Sequence, residues 1–233
     1  MKQESKNYHN KDQRSPENGR LIRSFGRIKS RKLSDHKNSL LQELLPIYEI
    51  KDANFSSSKI SLEIGFGFGD FLFEKAKNNP DILFLGSEPH LNGVVNLLAK
   101  LEKEPLKNLK ISRQDIRILL NDFAPNFFDE VYILFPDPWP KVKHFKRRLI
   151  NVEFLEKILS PKIKSGGKLV IATDHDLYKT WILSAILKNK NFVWTASEKK
   201  DWQVFPKDWV KTKYQKKAAL EGRTSVIFNL INK

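Results

Sequence analysis

Between residues 60 and 174, short apolar runs alternate with helical stretches, and that alternation admits few folds. The runs are ISLEIGFG (60–67), ILFLGSE (82–88), LKISRQD (109–115), VYILFPD (131–137) and GKLVIATD (167–174). Helical patterns fill 70–78, 92–104, 116–122, 151–160 and 176–189. Strands spaced by helices pair in parallel through right-handed crossovers. The expectation is an α/β domain with a mostly parallel central sheet and helices on both faces. FVWTASE (192–198) and TSVIFNLIN (224–232) read as two further strands. The segment between them, 199–223, is too long for a tight hairpin and carries Trp202, Trp209, Lys211, Lys213, Lys216 and Lys217.

The strand candidates share a chemical signature. Glu88, Asp115, Asp137 and Asp174 close four of them, and Glu63 sits just before the glycine turn of the first. Open α/β sheets bind ligands at the carboxyl ends of their strands. Buried unpaired carboxylates are costly, so packing alone does not explain a row of them. The spacing gathers these acids around one crevice.

At the first strand-to-helix turn, Glu63, Gly65, Gly67 and Gly69 form E-x-G-x-G-x-G. Such glycines permit a sharp turn and close approach of a ligand to the backbone. Glu88 follows 19 residues after Gly69, where a carboxylate can accept from both ribose hydroxyls. A dinucleotide pyrophosphate prefers a helix N-terminus without carboxylates, yet Glu63 precedes this loop and Asp70 follows it at once. That charge suits a cationic sulfonium carrying an ammonium group, so S-adenosylmethionine is favoured over a nicotinamide dinucleotide. Asp115 is placed to accept from an adenine amino group, to cap the helix at 116–122, or to do both.

The run LFPDPWPKVKHFKRR (134–148) adds a second ligand. Prolines flank Asp137, Trp139 follows, and five cations (Lys141, Lys143, Lys146, Arg147, Arg148) come within the next nine positions. A carboxylate beside an indole forms a pocket for a flat polar ring, and the cations form a strip for phosphate. His144 lies among them; neighbouring cations disfavour its protonation, and it reads as an RNA contact or a spacer. Asp174 is placed to orient Lys141 or Lys213. The net charge of +15 favours capture of a polyanion.

Composition removes several classes. The chain has no cysteine, which excludes disulfides, thiolate metal sites and cysteine nucleophiles; no metal is expected. No run of about 18 apolar residues predicts a membrane span, and the polar N-terminus lacks a secretory apolar region. A cytoplasmic location is expected. Residues 1–20 read as a disordered polar tail, 21–58 as a basic arm and short helix broken at Pro46, and 59–233 as the main domain.

LEIGFGFGDFL (62–72), GSEPHLNGV (86–94), FPDPWPKVKHFKRRLI (135–150), ATDHDLYKTW (172–181), TKYQKKAALEGR (212–223) and the arm RSFGRIKSRKLS (23–34) carry a resemblance. The chain resembles the bacterial tRNA (guanine-N7-)-methyltransferases. The resemblance implies a Rossmann-like class I methyltransferase fold with an antiparallel C-terminal strand. It implies S-adenosylmethionine as methyl donor, tRNA as partner, and methylation at N7 of the variable-loop guanine at position 46. Cofactor contacts carry over to Glu63, Glu88, Asp115 and Asp137; because the N7-methylated base is cationic, a nearby carboxylate would stabilise its developing charge, and Asp137 is the candidate catalytic residue. Substrate contacts carry over to Lys141, Asp174 and the segment Thr212, Lys213, Tyr214 and Gln215. The run Lys143, His144, Lys146, Arg147 and Arg148 matches the RNA-contacting stretch. The chain departs from the family pattern at Pro89, His175 and Gln215. The residues leave open a methyltransferase acting on exocyclic amino groups, a non-catalytic RNA-binding module and a nicotinamide oxidoreductase. They do not fix the oligomeric state.

Overall fold

A computed structural model describes residues 33–233. The tail at 1–20 and most of the expected arm lie outside the described residues. Ser34 caps the first helix, α1 (Asp35–Glu43), by accepting from the Lys37 amide, and a short helix α2 (Leu45–Tyr48) follows. The expected helix therefore begins earlier than its apolar residues suggest, because the cap lies upstream of them. Pro46 occupies the first turn of α2, where its missing N–H costs nothing, so it opens a second helix instead of ending the first.

The sheet then builds in order: β1 (Ile60–Ile64), α3 (Asp70–Asn78), β2 (Leu83–Ser87), α4 (Leu91–Lys103), β3 (Leu109–Ser112), α5 (Ile116–Leu119) and β4 (Phe128–Leu134). A 3-10 segment at Val142–Arg147 and a π-helical segment at Phe154–Leu159 lead to β5 (Ile163–Thr173). The chain finishes with α6 (Asp176–Lys188), β6 (Phe192–Trp194), α7 (Lys200–Gln203), α8 (Lys213–Leu220) and β7 (Val226–Asn232). Among the described residues the strand order is β3-β2-β1-β4-β5-β7-β6. The pairs among β1 to β5 are parallel, and β7 runs antiparallel between β5 and β6.

Both faces of the sheet are covered. Neighbouring residues of β2 feed separate cores, since strand side chains alternate. Phe84 joins Leu72, Val94 and Leu98 under α1 to α4. Leu85 joins Leu62, Ile133, Leu155 and Ile182 beneath the 154–159 segment and α6. Strand β6 stops sooner than the apolar pattern suggests. The Asp201 carboxylate captures the Ser197 and Glu198 amides, which turns the chain into α7.

The acids do not end the strands themselves. Glu88 lies one residue past β2, Asp115 and Asp137 three past β3 and β4, and Asp174 one past β5. They occupy the connecting loops at one edge of the sheet, the place where strand order reverses between β1 and β4.

Candidate active site

A cavity of about 890 Å³ opens at that edge. Gly65, Gly67, Glu88, Asp115, Asp137, Trp139, Lys146, Arg147, Arg148 and Tyr214 all contribute to its wall. A small cleft beside it contains Glu63, Thr212 and Lys213, and shares Gly65, Phe68, Leu134 and Tyr214 with the main space. Most of the sequence-predicted cofactor and base-binding groups therefore meet at one place, with Glu63 in the adjoining cleft and Gly69 outside both.

The glycine loop shows why these positions lack side chains. Gly65 has φ +73° and faces open space, so a ligand can approach its backbone. Gly69 has φ +72° at the start of α3, and a Cβ there would strike Leu97. Its role is to seat the helix, and it lies off the cavity wall. A further glycine, Gly93 on α4, presses so closely on the Gly67 carbonyl that any Cβ would collide with it.

Each acid is held differently. Glu88 is buried; one oxygen accepts from the Gly67 amide at 2.9 Å and the other from the His90 amide at 2.8 Å. It braces the glycine loop, and each oxygen keeps a lone pair for another donor. Burial raises its pKa, partly opposed by the His90 and Gly67 amides, with Asp137 raising it further. Glu63 is 3% exposed, and its Oε2 has no hydrogen-bond partner. Burial first, then the charges of Glu88 and Asp70, push its pKa up to about 8. An orphaned carboxylate oxygen beside an open glycine fits the ammonium group of S-adenosylmethionine. Asp70 itself pairs with Lys100, so much of its charge is already neutralised.

Asp115 caps α5, accepting from the Arg117 amide at 3.0 Å, and holds the Arg117 guanidinium at 2.7 and 2.8 Å. The capping reading is thus realised, on a residue that still borders the cavity. Asp137 is the exposed member of the set. Partial desolvation raises its pKa, and the nearby His90 opposes the rise. The loop carrying it is strained: Phe135 and Trp139 have φ +53° and +41°, a region that side chains other than glycine rarely occupy. Strain at residues flanking a carboxylate is typical of functional sites, at about 1–3 kcal/mol each.

The basic run divides. Lys141, Lys143 and Lys146 are exposed, and Lys146 and Arg147 reach the cavity rim. The Arg147 guanidinium lies 4.9 Å from the centre of the Trp139 ring, and His144 meets the same ring edge-on at 5.6 Å. Desolvation and then Arg147, Lys143 and Lys141 lower the His144 pKa. Arg148 departs from the expectation of a phosphate contact. It is 3% exposed, and its Nε donates to the Pro138 carbonyl at 2.8 Å. A guanidinium spent on backbone carbonyls is withdrawn from phosphate.

Three other expected substrate contacts are also engaged within the fold. Asp174 pairs with Arg223 at 2.8 Å, instead of with Lys141 or Lys213. Thr212 is buried and caps α8 by accepting from the Gln215 amide. Gln215 is buried and accepts from the Trp209 indole at 2.8 Å. Within that segment Lys213 and Tyr214 are the exposed pair. Tyr214 covers Gly67, where a Cβ would come within 3.2 Å of its ring, and Lys213 sits 4.1 Å above the Phe68 ring. Sequence reasoning gave no role to His90 or Phe68, which both line the cavity. A histidine two residues past a strand-end acid and an aromatic inside a glycine loop were the available signals. Among the described residues there is no cluster of metal-ligating side chains and no helix long and apolar enough to cross a membrane.

Comparison with known proteins agrees with this geometry. Residues 57–227 match the family described as "Putative methyltransferase". A tRNA (guanine-N(7)-)-methyltransferase of Agrobacterium fabrum is 34% identical over 223 residues, covering 90% of this chain and 94% of the relative. The enzyme of that name from Caulobacter vibrioides is 37% identical over 84% of this chain and 89% of its own. The chain belongs to this family. A solved 16S rRNA methyltransferase, KamB, superimposes with a TM-score of 0.53 at 14% identity, over 87% of this chain and 96% of that one, which shows the shared fold. This chain is therefore an S-adenosylmethionine-dependent methyltransferase of the class I fold.

Proposed function

We propose that this methyltransferase acts on tRNA, forming N7-methylguanosine at the variable-loop guanine, position 46. The observation that carries the reading is the single cavity in which the glycine loop, Glu88 and Asp137 share a wall with Lys146 and Arg147 at its rim. Its volume lies near the top of the ~300–1,000 Å³ range of single-ligand pockets, which leaves room for a flat base beside a cofactor. The names of the relatives point to the same substrate. Action on tRNA would place the protein's work in the cytoplasm.

S-adenosylmethionine, when bound, supplies a methyl group activated by its sulfonium. Glu63 and Glu88 would hold its ammonium and ribose ends, and Asp115 would border its adenine. Guanine N7 carries a free in-plane lone pair and no proton, so no side chain has to act as general base. The task left to the protein is alignment, which can supply about 7–11 kcal/mol of a barrier. Asp137 accepts from the guanine edge and faces the positive charge that develops on the ring. Lys141, Lys143, Lys146, Arg147 and Lys213 grip the backbone around the target, and Trp139 with Tyr214 walls the base.

Mass analysis of nucleosides from tRNA incubated with protein and cofactor tests the assignment. The expected product is methylguanosine with a fixed positive charge. A neutral methyladenosine or methylcytidine would transfer the reading to exocyclic amino chemistry. Asp137→Ala is expected to lower kcat by about 10²–10³-fold, in line with loss of one charge-stabilising group, while tRNA affinity changes little. A near-normal rate removes Asp137 from the chemistry.

A further inference from the structure

Arg148 lies in the basic run but faces inward. Besides the Pro138 carbonyl, its guanidinium reaches the Trp139 carbonyl through Nη2 at 3.4 Å. Three rings enclose it: Phe145 at 3.8 Å, Trp181 at 4.8 Å and Tyr178 at 5.2 Å from its central carbon. Tyr178 and Trp181 stand three residues apart on α6, so they share one face of that helix. The shelf is itself anchored, since the Trp181 indole donates to the Ile150 carbonyl at 2.7 Å. Aromatic faces stabilise a buried cation that would otherwise be costly.

The two carbonyls belong to the residues that follow Asp137. On the other side of Asp137, the Phe135 amide donates to the Ala172 carbonyl at 2.8 Å. The strained turn is therefore pinned at both ends, to β5 before the acid and to Arg148 after it. A backbone with positive φ at Phe135 and Trp139 persists only when its surroundings over-determine it. We propose that Arg148, caged by Phe145, Tyr178 and Trp181, is the positioning residue that fixes the Asp137 carboxylate toward the reacting base and makes no contact with RNA phosphate. The proposal rests on the role assigned to Asp137 above. Arg148 also borders the cavity, but its guanidinium acts through the Pro138–Trp139 backbone.

Arg148→Met keeps the unbranched apolar stem and removes the guanidinium fork. It is expected to lower kcat by about 10–100-fold, the scale of a small misplacement of reacting groups, with KM for tRNA changed less than about twofold. The slope of log affinity against log salt is expected to stay as in the wild type, whereas loss of a phosphate contact would flatten it by about 0.7–0.9. In an Asp137→Ala background the same change should add little, because residues acting as a unit are not additive. Hydrogen exchange in peptides covering 134–148 should quicken, with the β1 and β2 peptides unchanged. A flattened salt slope, an unaltered kcat or unaltered loop exchange overturns the proposal. Should Arg148→Met not fold, Phe145→Leu keeps the arginine and loosens its cage. Faster loop exchange with a smaller loss of kcat then supports the proposal, and no change in either refutes it. If wild-type protein forms no N7-methylguanosine, the functional reading fails separately, and the exchange contrast still decides whether Arg148 holds the loop.

Discussion

Glu63 offers the sharpest test of the cofactor site, because its burial with one carboxylate oxygen unpartnered is visible as pH-dependent stability. Its pKa lies near 4.5 in the unfolded chain and about 8 in the folded one. Between those values the folded state holds about one proton more than the unfolded state. Stability therefore falls as pH rises across this window, by about 1.4 kcal/mol per pH unit. Taken over roughly 3.5 units, the penalty approaches 5 kcal/mol at pH 9, an upper bound because a buried site relaxes or admits water. Glu63→Gln retains the shape and cannot ionise. Urea melts of both proteins without cofactor should coincide near pH 4.5 and diverge from pH 5 to 9, with the glutamine variant the more stable. The same variant should bind S-adenosylmethionine weaker by about 2 kcal/mol or more, roughly thirtyfold, since a buried charge pair loses one partner. Stability curves that run parallel across the whole range refute the reasoning. So does a variant that gains stability and binds cofactor as the wild type does.

Two other outcomes follow from the same cavity. Gly65→Ala meets no protein atom within 4 Å, so its stability cost should be only the left-handed strain of about 1–2 kcal/mol, seen by thermal melting. Its Cβ projects into the ligand space, and equilibrium dialysis should show cofactor binding reduced beyond that strain. Replacing Lys146 and Arg147 with alanine should weaken tRNA binding and flatten its salt slope by about 1.4–1.8, measured by filter binding between 50 and 200 mM salt.

The sheet was legible because short apolar runs, each followed closely by a glycine or an acid, alternate with longer helical stretches, and because crossover geometry leaves few orders to choose from. Helix boundaries were less so: α1 is set by Ser34, a polar residue outside the apolar pattern. The gathering of Gly65, Gly67, Glu88, Asp115 and Asp137 followed from strand-end placement alone. What the sequence could not separate were neighbouring polar residues with opposite fates. Lys146 and Arg148 read alike in KRR, yet one faces solvent and the other an aromatic cage. The difference comes from Tyr178 and Trp181, some thirty residues away, and no local pattern encodes that contact. Thr212 and Gln215 are similar, their side chains taken up by a cap and by Trp209.

The charge layout resolves a conflict inherent in the proposed reaction. A cationic cofactor and a polyanionic substrate must meet within bonding distance, although a surface that attracts one repels the other. Here the acids are sunk: Glu63, Glu88 and Asp115 are all less than a tenth exposed, away from the surface that an approaching RNA meets. The lysines stand outside at the rim, where they dominate the potential met by an approaching RNA. Asp137 lies between the two zones, exposed and with a raised pKa. It is the one acid of the set placed to answer both, since methylation turns a neutral base cationic. A carboxylate there gains attraction as the reaction proceeds, and the lysines that brought in the phosphates gain none. On this layout, raising salt should weaken capture of tRNA steeply while leaving single-turnover methylation at saturating protein almost unchanged. A chemical step that falls with salt in parallel with binding would show that the rim cations, and not the sunken acids, stabilise the transition state.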